Sequence, residues 1–188
     1  MRSCFSVATL VALSCLVVTT SQAQEATKFS VAEGKLEFKA PASWNKKTPK
    51  VRIIEVEYEI PAAKGDEMAG RMTVMGAGGT VEANIDRWIA QFDQPDGGDT
   101  KTKATKIEKL KVSGQDVSWV DVSGTYNDSV GGPFAGNKKV LRENYRMLAA
   151  IVQTKDAGNY FLKFYGPKAT VAENEKAFRD LIDSMQVK

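Results

Sequence analysis

Five groups of residues have types and spacings that chemistry could use. Glu55, Glu57 and Glu59 alternate along Val51 to Ile60, which puts three carboxylates on one side of an extended chain, where they could draw a cation. Calcium, however, usually takes about six to eight oxygens from a bent loop. A wet strand face opposite basic neighbours such as Arg71 explains the spacing with less. Asp93, Asp96 and Asp99 recur at intervals of three, where a calcium-binding loop alternates its ligands at intervals of about two. Helix termination by Pro95 and the adjacent glycines accounts for that stretch, with weak calcium binding as the alternative. Gly76-Ala77-Gly78-Gly79-Thr80 lies between a strand and a helix, where free amides can cradle phosphate. Val81 occupies the place of the third fingerprint glycine and no Lys-Ser or Lys-Thr pair follows, so phosphate binding stays the secondary reading.

The remaining two groups suit recognition better than reaction. The stretch 127–144 has no regular pattern and carries Phe134 between glycines, then Lys138, Lys139 and Arg142. Loops longer than about 12 residues are uncommon in compact domains and are often functional. Phe134 could anchor a partner while the three cations meet its acidic groups; the alternative is a crossover with Phe134 tucked onto a sheet. The polar side of the helix that begins near Val81 offers Glu82, Asn84, Arg87 and Gln91, placed to hold a small ligand or cation between helix and sheet.

What is missing narrows the chemistry further. The chain has no histidine, and its two cysteines are Cys4 and Cys15. Past those positions it cannot build a Ser-His-Asp triad or a Cys-His pair, nor a zinc, copper or haem site from its own imidazoles or thiolates. Carboxylates, hydroxyls, lysines and backbone remain. A carboxylate-based hydrolase needs two acids at a set separation, and nothing in the sequence selects such a pair. The expectation is therefore no enzyme, no cofactor and no metal site.

The amino terminus reads as an export signal. Arg2 supplies the positive start, Phe5 to Val18 is nearly all apolar or small, and Ser21-Gln22-Ala23 offers a cleavage site. The apolar run is shorter than the roughly 20 residues that a spanning helix needs. Residues 1–23 are read as a cleaved signal and residues 24–188 as a single domain, with no stable membrane insertion after cleavage. Both cysteines leave with the signal. So does Arg2, which lowers the formal charge of +3 by one; nucleic-acid binding needs far more concentrated positive charge. The destination is the periplasm or the outside of the cell.

Several elements must position these groups. Tyr145 to Val152 is apolar on both sides of an extended chain, as an interior strand is, and Tyr160 to Tyr165 is rich in the aromatics that strands favour. Gly166 and Pro167 stop the second run. Thr170 with Glu173 predicts a capping box for one helix whose face is Val171, Phe178, Leu181, Ile182 and Met185. An earlier helix carries Val81, Ile85, Trp88, Ile89 and Phe92, with Thr80 as its N-cap. Short strands at 28–31 and 35–39, hairpins at 51–75 and 106–126, and a Trp44 plug over a sheet end complete the pattern. Lys103, Lys106, Lys109 and Lys111 suit an edge strand or a wet face. The fold class is α/β in the α+β sense: a central antiparallel sheet sandwiched by helices.

This order of elements, together with Asn84-x-x-Arg87-Trp88-x-x-Gln91-Phe92, the Gly124-Thr125-Tyr126 strand end, the strand from Tyr160 to Pro167 and the terminal helix with Phe178, resembles the PsbP-like family over nearly the whole mature chain. That family of α/β/α sandwich domains includes lumenal extrinsic subunits of photosystem II, a Ran-binding nuclear import factor and exported bacterial proteins. The resemblance implies a fold whose members mostly bind macromolecules rather than catalyse. It carries over no functional residue, because the ion-retaining photosystem subunits rely partly on histidines. The expected function is an exported, non-catalytic interaction domain that engages an envelope or extracellular protein through 127–144 and the adjacent sheet edge. The alternative is a carrier of a small ligand or cation in the cell envelope.

Overall fold

The computed structural model describes residues 26–129 and 139–188. The signal segment, Phe134 and Lys138 lie outside the described residues. The chain runs β1 (Thr27–Val31), β2 (Leu36–Ala40), β3 (Asn45–Lys47), β4 (Val56–Ile60), β5 (Gly70–Ala77), α1 (Val81–Ile89), β6 (Phe92–Asp93), α2 (Thr100–Lys103), β7 (Thr105–Val112), β8 (Gln115–Ser129), β9 (Lys139–Gln153), β10 (Asn159–Pro167), α3 (Lys168–Glu173), α4 (Glu175–Asp183) and β11 (Gln186–Val187). An eight-stranded sheet has the order β3-β4-β5-β10-β9-β8-β6, with β7 also paired to β8. Every pairing in it is antiparallel. A small sheet of β1, β2 and β11 lies apart from it.

The central strand β9 explains why two layers are needed. Met147, Ala149 and Ile151 enter one core, Leu148, Ala150 and Val152 the other, and all six are fully buried. A strand apolar on both sides must be covered on both. On one face α1 lays down Val81, Ile85, Trp88 and Ile89, and the Trp88 ring meets Phe161 edge to face at 5.1 Å. On the other face α3 and α4 contribute Val171, Phe178, Leu181 and Ile182, joined by Phe29 and Phe38 of the small sheet. Each such buried side chain contributes about 1.5–3 kcal/mol of transfer free energy. The two-layer cover is the sandwich that the sequence predicts.

Four expectations need correction. The strand expected over Val51 to Ile60 begins only at Val56; Val51 and Ile53 sit in a turn with exposed side chains, so the alternation runs on beyond the end of pairing. The stretch 127–144 is strand rather than irregular chain in its described parts, 127–129 and 139–144. Its two ends extend β8 and β9 into a long hairpin arm, paired from Tyr126 with Arg142 to Ser129 with Lys139. The Thr170–Glu173 capping box does not form. Thr170 lies inside α3, where its amide and hydroxyl both donate to Asp66 Oδ2 at 2.9 and 2.6 Å, and its hydroxyl accepts from the Ala63 amide at 2.9 Å. A carboxylate from a distant turn thus replaces the local cap. The single terminal helix divides at Asn174, which accepts a hydrogen bond from Trp44 Nε1 at 3.0 Å and donates to Thr170 O. Trp44 is a buried plug, as expected, and it is tied to the break between the two helices.

Candidate functional site

The cation-drawing arrangements of the sequence come apart in three dimensions. Glu57 is held by Arg71 through two hydrogen bonds of 2.9 and 3.0 Å, the basic cross-strand neighbour that the spacing suggests, and Glu59 pairs with Lys47 at 3.1 Å. Glu55 accepts from the Ala32 amide. The three aspartates also separate: Asp93 accepts from Asn127, Asp96 pairs with Lys103, and Asp99 caps α2 by accepting from the Lys101 amide. Among the described residues no group of three or more acid side chains is placed to hold a metal ion. The glycine-rich turn is closed by its own chain: Thr80 accepts from the Ala83 amide, and Asn84 donates to Gly78 O at 3.1 Å and Thr80 O at 2.8 Å.

Two of the residues expected on the polar side of α1 bond to each other, and a third meets a lysine that the spacing did not single out. Asn84 is buried, and its side-chain oxygen accepts from Arg87. Gln91, just past α1, accepts from Lys163 Nζ at 2.6 Å. Glu82 is exposed at the first turn and meets none of them. Lys163 stands mid-strand in β10 on the α1 face, its ammonium over the adjacent rings of Tyr126 and Tyr165, whose centroids lie 5.5 and 5.2 Å from it and 5.2 Å from each other. A lone lysine inside Tyr160-Phe161-Leu162-Lys163-Phe164-Tyr165 was the available signal, because an interior strand rarely carries a charge unless it is paired.

The electrostatics of this corner are lopsided. Arg71 binds Glu57 and also donates to the Tyr165 hydroxyl at 2.9 Å; Arg142, on the hairpin arm, pairs with Asp128 at 2.8 Å. These two acids are therefore neutralised. Arg87 and Lys163 form no ion pair among the described residues; each gives a hydrogen bond to a neutral amide oxygen. Burial pushes the Lys163 ammonium down to about 8, and the nearby positive charges of Arg87 and Arg71 add to the effect while Asp128 opposes it. Burial likewise pushes the Tyr126 hydroxyl well above its ordinary range. A partly desolvated cation with no carboxylate partner is costly to hold, and a negative group placed beside it would lower that cost.

The proposed loop residues are divided. Lys139 begins β9 and is exposed, Arg142 is tied to Asp128, and Leu141 between them leaves 63% of its surface exposed. A cleft of about 600 Å³ opens elsewhere, beside the irregular step between Gly124 and Tyr126; its walls from Gln94 to Lys168 are neutral apart from Glu143 and Lys168. Size favours that cleft and chemistry favours Lys163, where an amide oxygen and two tyrosine rings meet one uncompensated charge.

No protein-family model matches the chain, and no curated protein sequence matches it. Among solved structures the fold is similar to cyanobacterial PsbP (CyanoP) from Synechocystis, with a TM-score of 0.54 and 13% identity over 93% of this chain and 98% of that one. It is also similar to LpqN, a protein of Mycobacterium tuberculosis described as involved in cell envelope biogenesis, with a TM-score of 0.51 and 7% identity over 87% of this chain and 91% of that one. At such identities the likeness is one of architecture. The chain has a PsbP-like α+β fold, with helices laid on both faces of an antiparallel sheet.

Proposed function

We propose that this protein is an exported, non-catalytic interaction domain that engages a protein of the cell envelope or its exterior through the α1 face and the β8–β9 arm. One observation carries the reading. The carboxylates facing this surface, Glu57 and Asp128, are each neutralised by an arginine, whereas Arg87 and Lys163 are not neutralised by anything among the described residues. Holding an acidic partner needs uncompensated positive charge and contact area. Exposed Leu141 and Lys139 extend the surface along the arm. Two further points support export to an envelope: the apolar amino-terminal segment, and the fold shared with LpqN. No helix among the described residues is long and apolar enough to cross a membrane. Of the alternative from sequence, a carrier of a small ligand or cation, the cation form loses support because the site is itself cationic.

The test is capture from a native envelope fraction by immobilised protein, with Arg87→Glu set against Lys176→Glu. Lys176 lies on α4, across the sheet, and its side chain is 86% exposed. A defined partner retained by the wild type and by the Lys176 variant, and depleted by Arg87→Glu, supports the reading. Equal recovery by all three counts against this surface.

A further inference from the structure

Arg87 and Lys163 flank Gln91 at the end of α1, and the pair has features that a structural role does not explain. Arg87 is exposed and lies one helical turn before Gln91, whose side-chain oxygen accepts from Lys163. The Lys163 ammonium has three N–H donors, and this amide is its one hydrogen-bond acceptor among the described residues. Its other close neighbours are the faces of Tyr126 and Tyr165. Of the charged and titratable groups around it, Arg71 on β5, Arg87 on α1, and Tyr126 and Asp128 on β8, only Asp128 is an acid, and Asp128 is held by Arg142. A purely structural lysine in such a place would gain from a carboxylate neighbour or from reaching solvent.

We propose that Arg87 and Lys163 together bind an oxyanion, the chemistry shared by a carboxylate and a phosphate. The inference deepens the reading above by naming the group that the surface recognises. A guanidinium fork and an ammonium donate charge-assisted hydrogen bonds to such a group; Gln91 and the two tyrosine rings fix the ammonium in place, and their low polarity strengthens the attraction. Asn84, buried and bonded to the turn before α1, fixes the orientation of Arg87.

The experiment titrates the purified protein with inorganic phosphate and, separately, with succinate, at constant ionic strength set by chloride. It follows the Lys163 side chain by NMR and the melting temperature in parallel. Saturable binding is expected for at least one anion, with a dissociation constant on the order of 1 mM, weakened about tenfold or more in Arg87→Gln and in Lys163→Met. The anion that saturates identifies the group. Affinity should fall as the pH rises through about 8, where Lys163 loses its proton, and the bound anion should raise that midpoint. Arg87 is exposed, so its variant keeps the fold and tests the proposal independently of Lys163→Met. No saturation by either anion, or saturation unchanged in Arg87→Gln, overturns the proposal. Anion binding without partner capture would sink only the protein-interaction reading; capture without anion binding would sink only this one.

Discussion

At the scale of single residues, two buried polar groups behave in opposite ways. The Tyr58 hydroxyl is buried in the α4-side core and has no hydrogen-bond partner among the described residues. Leaving such a group unsatisfied costs about 1–3 kcal/mol. Tyr58→Phe should therefore stabilise the protein by about 1 kcal/mol in urea melts; a clear loss of stability would mean that the hydroxyl has a partner after all. Lys163 is costly for a different reason. Its ammonium gives up its proton near 8 when folded and near about 10.4 when unfolded, so between those values the unfolded chain binds more protons and native stability rises with pH. Lys163→Met removes that penalty. Its stability relative to the wild type should be highest below pH 8 and should shrink as the pH climbs toward 10; a gap that does not change with pH would show that the ammonium is well solvated. Helical spacing named Asn84, Arg87 and Gln91 but not Lys163, which bonds to Gln91. That contact between helix and strand depends on register, which spacing within one element does not encode.

At the scale of elements, the strands were more legible than their ends. Alternation identified β4 and its acidic face but ran past the turn at Val51 to Ile54, and it was silent over 127–129 and 139–144, where pairing of β8 with β9 holds residues of mixed polarity in register. Backbone hydrogen bonds across a hairpin need no apolar pattern. The terminal helices show the same limit. Thr170 and Glu173 have the spacing of a reciprocal cap, yet Asp66 supplies the carboxylate from about a hundred residues away in the chain, as a sequence separation of 104. Asp66→Ala should cost about 1–2 kcal/mol, in the range for loss of a helix cap, whereas Glu173→Ala should change stability by less than about 0.5 kcal/mol, as a surface substitution does. Thermal melts of both variants decide it; equal effects would restore the local cap.

At the scale of the whole molecule, the eight-stranded sheet divides the protein into two unlike faces. One is sealed by α3, α4 and the small sheet around Phe38, Phe164 and Phe178. On the other, α1 covers the apolar half, and the ground beyond its end is taken by tyrosines and by Arg71, Arg142 and Lys163. The two-sided strand β9 made the sandwich readable in the sequence, because six consecutive buried residues require cover on both sides. The inequality of the two covers was not readable, since it follows from the length of α1 relative to the sheet beneath it. The proposed recognition surface is the face that is only half covered. The most direct measurement of that claim places a photo-crosslinking side chain at exposed Ala90, at the end of α1, and another at Lys176 on α4, then irradiates the native envelope. The account predicts a discrete protein adduct from position 90 and none from position 176; an adduct from 176 alone would contradict it.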